Sequence, residues 1–105
     1  PIQLAHSSQI NILSIDYSLA PANPFPNGLN DVVKVFHYLC NHGYSENNIG
    51  ILGDSAGGGL ALSMLLKLKE MNAKLPAAIG LLSPWADLSF SGETFNFPPK
   101  EVSYF

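Results

Sequence analysis

Residues 53 to 58 read GDSAGG, between a wholly apolar run, IGIL (49 to 52), and an apolar stretch, GLALSMLLKL (59 to 68). The first run has the length and character of a strand buried on both faces of a parallel sheet. The second, taken from Ala56 to about Met71, is long enough for a helix. The glycines and alanine around Ser55 therefore fall where a strand must turn sharply into a helix, and residues with little or no side chain let the two elements approach.

The rest of the chain repeats the alternation. INILSIDY (10 to 17) is rich in β-branched and aromatic residues and stops at LAPANPFP, where Pro21, Pro24 and Pro26 forbid regular pairing, so it reads as a first strand. Leu29, Val32, Val33, Phe36, Leu39 and Cys40 recur at three and four, which predicts a helix with Asn27 or Asn30 capping its start and Gly43 ending it. AAIGLLS (77 to 83) reads as a third strand, closed by Pro84. Strands alternating with helices imply an α/β fold with a parallel sheet. The length, 105 residues, suits one small domain.

Composition excludes several functions. The chain is 47% hydrophobic, and its five basic side chains are lysines without a cluster, giving a formal charge of −3. No nucleic-acid-binding or membrane-surface face is expected. The longest apolar stretch, Leu60 to Leu66, is interrupted by Ser63 and ends at Lys67, too short to span a bilayer. A single cysteine, Cys40, forms no internal disulfide and favours a reducing, cytoplasmic compartment. Residue 1 is proline rather than methionine, so the missing leader carries no weight about targeting.

At a strand-to-helix junction, G-x-S-x-G is the pattern of a nucleophile elbow. The turn lies at the carboxyl end of a strand, where open parallel sheets bind ligands, so Ser55 would face a crevice. Gly53 and Gly57 would supply the clearance. The amide of Ala56, first of the helix, would aim at a developing oxyanion, aided by the helix dipole. That combination suits acyl transfer. The alternative is that the glycines only permit a close crossing; a phosphate cradle is disfavoured, since neither G-x-G-x-x-G nor G-x-x-x-x-G-K-[ST] can be read.

SIDYSLAPANPFP (14 to 26), GDSAGG (53 to 58) and LLSPWADLS (81 to 89), in this order and spacing, resemble the hormone-sensitive-lipase-like branch of the α/β-hydrolases, from about Ile10 to about Thr94. The resemblance implies an α/β-hydrolase fold, Ser55 as catalytic nucleophile, the Ala56 amide as one oxyanion-hole donor, a small-molecule ester substrate and no cofactor. Departures fall at Ser18 and Ala22, where the family usually has arginine and glutamate, and at Gly59, where it often has asparagine; they bear on local salt bridges rather than the chemistry. The family's His-Gly-Gly-Gly segment would precede residue 1 and its catalytic aspartate and histidine would follow Phe105. The expectation is thus a central fragment of one catalytic domain, spanning 1 to 105, with an incomplete sheet.

The histidines present do not fill the gap. His42 closes the helix leading into the strand that bears Ser55, so it belongs at that strand's amino end; five residues at ~3.3 Å each put it roughly 15 Å from the serine. His6 is expected at the same edge and His37 on a helix flank. A metal site is not expected, because His37 and His42 do not share a helix face. Asp16, Asp87 and Glu93 follow strand carboxyl ends and are expected to cap turns and loops. Asp54 is expected to be a turn acceptor. Trp85, Phe90, Phe95, Phe97 and Tyr104 could line an acyl pocket, but are expected to cover an open core. Three functional readings remain: part of a serine carboxylesterase or lipase, a non-catalytic relative that binds a small molecule, and a truncated product without function. In every case the 105 residues alone are expected to be inactive, and strand 10–17 is expected to stand apart with both edges unpaired.

Overall fold

A computed structural model describes residues 1–89 and 91–92 of the chain. Its centre is a β-α-β unit. Strand β1 (Gly50–Asp54) leads through helix α3 (Ala56–Glu70) to strand β2 (Ala78–Leu82). The strands pair in parallel, with Gly50 opposite Ala78 and Asp54 opposite Leu82. Ahead of them come a short helix α1 (Ile2–Ser8), helix α2 (Asn27–Asn41) and a 3₁₀ turn (Glu46–Asn48). No helix of the described residues is long and apolar enough to cross a membrane.

Packing follows the helical spacing. Val32, Val33 and Phe36 on α2 meet Met64 and Leu68 on α3, and Ile49 joins them just before β1. Leu68 is fully buried and Met64 is 2% exposed. Helix α3 therefore lies between α2 on one side and the two strands on the other, and the position of everything at its amino end depends on that double contact.

Helix α2 ends as expected. Gly43 adopts φ 96°, its amide donates to Cys40 O and the Tyr44 amide donates to Leu39 O, the pairing that satisfies the last carbonyls of a helix. The start is different. Neither Asn27 nor Asn30 caps it: Asn27 is the first helical residue, and its side-chain amide donates back to Pro24 O at 2.8 Å. Pro26 stands at the cap position with no side-chain acceptor to offer, and the Asn27 amide donates instead to Pro24 O at 3.1 Å. Asp31 instead ties the helix to the preceding segment by accepting from the Ser18 amide at 3.0 Å. Helix α1 was not anticipated; it buries none of its residues, so it left no apolar periodicity to find.

The expected first strand is absent as a strand. Residues 10–17 are irregular and pair with nothing among the described residues. Ile15 and Tyr17 pack against the core, whereas Ile10 and Leu13 are exposed. Between this segment and β1 lies a cleft of about 470 Å³. Ile12, Leu13 and Ile15 line one wall, Ile49, Gly50, Ile51 and Leu52 the other. No described strand runs between the walls, so segment 10–17 and the edge of β1 away from β2 have no ladder to join. The expectation that the segment stands apart while 49–52 and 77–83 pair is met. Its strand assignment is corrected, because a strand is defined by a partner and periodicity cannot supply one.

The unpaired edge of β1 has a consequence for solution behaviour, since bare edges beside apolar surface invite pairing between chains. We expect the 105-residue chain to self-associate with rising concentration in sedimentation velocity, and Leu52→Lys, which sets a charge on that edge, to shift it towards monomer. A concentration-independent monomer would contradict this.

Candidate active site

Ser55 occupies the single residue between β1 and α3. Its backbone adopts φ 53° and ψ −118°, a region sparsely populated by residues with a Cβ, at a cost of about 1–3 kcal/mol. The expected sharp strand-to-helix turn is present. Hydrogen bonds on both sides hold it there. The Ser55 amide donates to Leu82 O at 2.9 Å. The Ser55 carbonyl accepts from the amides of Gly58 at 3.0 Å, Gly59 at 3.2 Å and Trp85 at 3.1 Å. Its hydroxyl has no hydrogen-bond partner among the described residues and stays available for chemistry.

The glycines divide by function in a way their spacing did not reveal. A Cβ on Gly53 would lie 2.7 Å from the Gly57 carbonyl carbon and 2.8 Å from Gly58 Cα, so only glycine lets α3 start over the end of β1. Gly58 and Gly59 face the chain after β2: a Cβ on Gly58 would lie 2.8 Å from Pro84 Cβ, and one on Gly59 would lie 2.5 Å from Trp85 O. Gly57, expected to provide clearance, is corrected, because a Cβ there would meet nothing within 4 Å. It lines the cleft instead.

Ala56 is exposed and is the first residue of α3. As a first-turn residue its amide has no intrahelical acceptor, and no backbone carbonyl of the described residues takes it up. An N–H at a helix amino end, one residue after a hydroxyl, is suited to receive negative charge.

No base stands beside the hydroxyl among the described residues. His42, the cap of α2, bonds through Nδ1 to Tyr38 O at 2.8 Å and stacks on the Tyr38 ring at 3.9 Å, in the helix-end position expected of it. His6 lies in the exposed last turn of α1. His37 lies on α2, as expected; it is half-buried, and its Nε2 is buried without a partner among the described residues. Cys40 offers no substitute nucleophile, since burial first, and the Glu46 carboxylate next, push its thiol pKa up.

The carboxylates sort by their loops. Asp87 binds the amides of Ser89 and Ser91 at 2.8 and 2.9 Å together with both hydroxyls, capping the loop as expected. Asp16 is exposed, and Glu93 lies outside the described residues. Asp54 is not a turn acceptor; it is exposed and its carboxylate accepts no hydrogen bond among the described residues. Trp85 does not cover the core, being 59% exposed; Phe90, Phe95, Phe97 and Tyr104 lie outside the described residues.

The model of the alpha/beta hydrolase fold matches residues 2–103. The chain belongs to the α/β-hydrolase family. Over 97 residues it is 35% identical to an esterase of Acinetobacter venetianus, covering 92% of this chain and 32% of that protein. Among solved structures, the hormone-sensitive-lipase homologue EstE7 from a metagenome library superposes with a TM-score of 0.83 at 42% identity, over 90% of this chain and 32% of its own. An esterase of the bacterial hormone-sensitive lipase family gives 0.72 at 46% identity, over 75% and 27%. These relatives put the chain in the hormone-sensitive-lipase-like branch of that family. It spans about a third of the length of the relatives it matches.

Two measurements probe the site's construction. In denaturant unfolding, Gly53→Ala is expected to lose about 1–3 kcal/mol through the forced backbone clash, while Gly57→Ala is expected to gain about 0.5–1 kcal/mol through helix propensity; equal effects would contradict the assignment of clearance. The second concerns acid. Hydroxyls of Ser89 and then Ser91 hold the Asp87 carboxyl well below the usual carboxylate range, and Ser18 does so less strongly for Asp31. A depressed folded pKa gives stability present above the unfolded value, about 3.9, and lost as pH falls through the folded value. Asp87→Asn is therefore expected to flatten the fall in stability below about pH 4, measured by thermal melting across pH.

Proposed function

We propose that the chain carries the nucleophile and one oxyanion donor of a serine esterase acting on small-molecule carboxylic esters. The observation that carries this reading is the Ser55 backbone, held at φ 53° between β1 and α3 with the Ala56 amide beside it. The relatives, described as esterases, support it. Ser55 Oγ would attack the ester carbonyl carbon, passing its proton to a base as the C–O bond forms. The carbonyl oxygen would become an oxyanion that accepts from the Ala56 N–H. Collapse would break the bond to the alkoxy oxygen, the base returning its proton to the departing alcohol, and water would hydrolyse the acyl-Ser55 ester by the same route.

A serine hydroxyl is a weak nucleophile without a base within about 3 Å, and none of the three histidines serves. We therefore read residues 1–105 as a central part of one catalytic domain, with the aspartate and histidine of the triad drawn from sequence outside it. A span of a third of the relatives' length accords with that.

A fluorophosphonate probe tests the reading. In protein expressed from the complete coding sequence, labelling is expected at Ser55, located by peptide mass spectrometry, and is lost with hydrolysis of a p-nitrophenyl ester in Ser55→Ala. Absence of labelling would favour a binding relative without catalysis. The 105-residue chain alone is expected to label no faster than its Ser55→Ala variant, and clear serine-dependent labelling there would mean a base within these residues.

A further inference from the structure

The hydroxyl-bearing turn is held from outside its own strand and helix. Strand β2 ends at Leu82, whose carbonyl takes the Ser55 amide, and Ser83 then turns at φ 42°. That left-handed step brings Pro84 and Trp85 against the first turn of α3. Pro84 packs on the bare Cα of Gly58, the Trp85 carbonyl sits over Gly59, and the Trp85 amide donates to the Ser55 carbonyl at 3.1 Å. Both peptide groups of the strained residue are thus bonded to one short segment 27 to 30 positions further along the chain.

We propose that residues 82–85 act as a positioning clamp for the Ser55 nucleophile, with Gly58 and Gly59 as the clearance that lets the clamp close. The inference rests on the reading of Ser55 as nucleophile and adds residues that touch no substrate. Local turn geometry leaves Ser55 with the Gly58 and Gly59 amides on its carbonyl, bonds that an ordinary helix start would also supply. The Leu82 and Trp85 bonds are what tie the strained backbone to the sheet. A Cβ at position 59, 2.5 Å from the Trp85 carbonyl, would drive the segment outward and lengthen the bond from the Trp85 amide. The hydroxyl would then lose its fixed direction, and misplacement by about 1 Å lowers reaction rates by about a hundredfold.

The test uses protein from the complete coding sequence and the second-order rate of fluorophosphonate labelling at Ser55. Gly59→Ala is expected to lower that rate about tenfold or more, and to raise amide exchange at Trp85 in the same protein. Pro84→Gly removes the packing on Gly58 without adding atoms, keeps the fold if Gly59→Ala does not, and is expected to slow labelling several-fold. Gly28→Ala is the control: its Cβ would lie 2.9 Å from Ser18 O, a comparable intrusion remote from the elbow, so melting temperature falls while the labelling rate of the folded protein is unchanged. Unaltered labelling in Gly59→Ala and Pro84→Gly overturns the clamp while the esterase reading stands. Equal slowing in Gly28→Ala overturns it too, since the effect would be general loss of stability. An unsubstituted protein that takes no label fails the esterase reading, and the clamp with it.

Discussion

The bond from the Ser55 amide to the Leu82 carbonyl is the interaction on which the site depends. A backbone at positive φ in a residue with a Cβ relaxes unless its neighbours over-determine it. Here β2 takes the Ser55 amide, and the turn after β2 shares the Ser55 carbonyl with the first turn of α3. The strain is thereby stored at the one residue that lies between strand and helix.

That bond exists only because β1 and β2 lie in parallel register, Asp54 opposite Leu82. Register in turn is set by α3, which packs on the strands with one side and on α2 with the other through Met64 and Leu68. Removing any layer would let the crossover shift, and a shift of one residue would set a different carbonyl opposite the Ser55 amide. The core is therefore connected to the chemistry by geometry rather than by contact. The apolar cleft beside β1 marks the opposite case, where the unpaired segment 10–17 keeps its apolar character without a ladder to organise it.

Glycines show how differently one residue type serves within seven positions. Gly53 and Gly59 are each held to glycine by a backbone atom that a Cβ would strike, whereas Gly57 faces open space. The motif G-x-S-x-G weights Gly53 and Gly57 alike, and the structure does not.

From the sequence alone came the strand-turn-helix placement of Ser55, the two helices that prove to span 27–41 and 56–70, and the parallel pairing of the two later strands. Each of these depends on local spacing, on turn chemistry or on chain distance, which residue order carries directly. The tertiary structure decided the rest. It denied residues 10–17 the status of a strand, because pairing is a property of two segments. It also transferred the clearance role from Gly57 to Gly58 and Gly59, left Asp54 without a bond and revealed Leu82 and Trp85 as partners of Ser55. Those outcomes turn on which backbone atoms from distant positions meet, and no periodicity within either segment encodes that meeting.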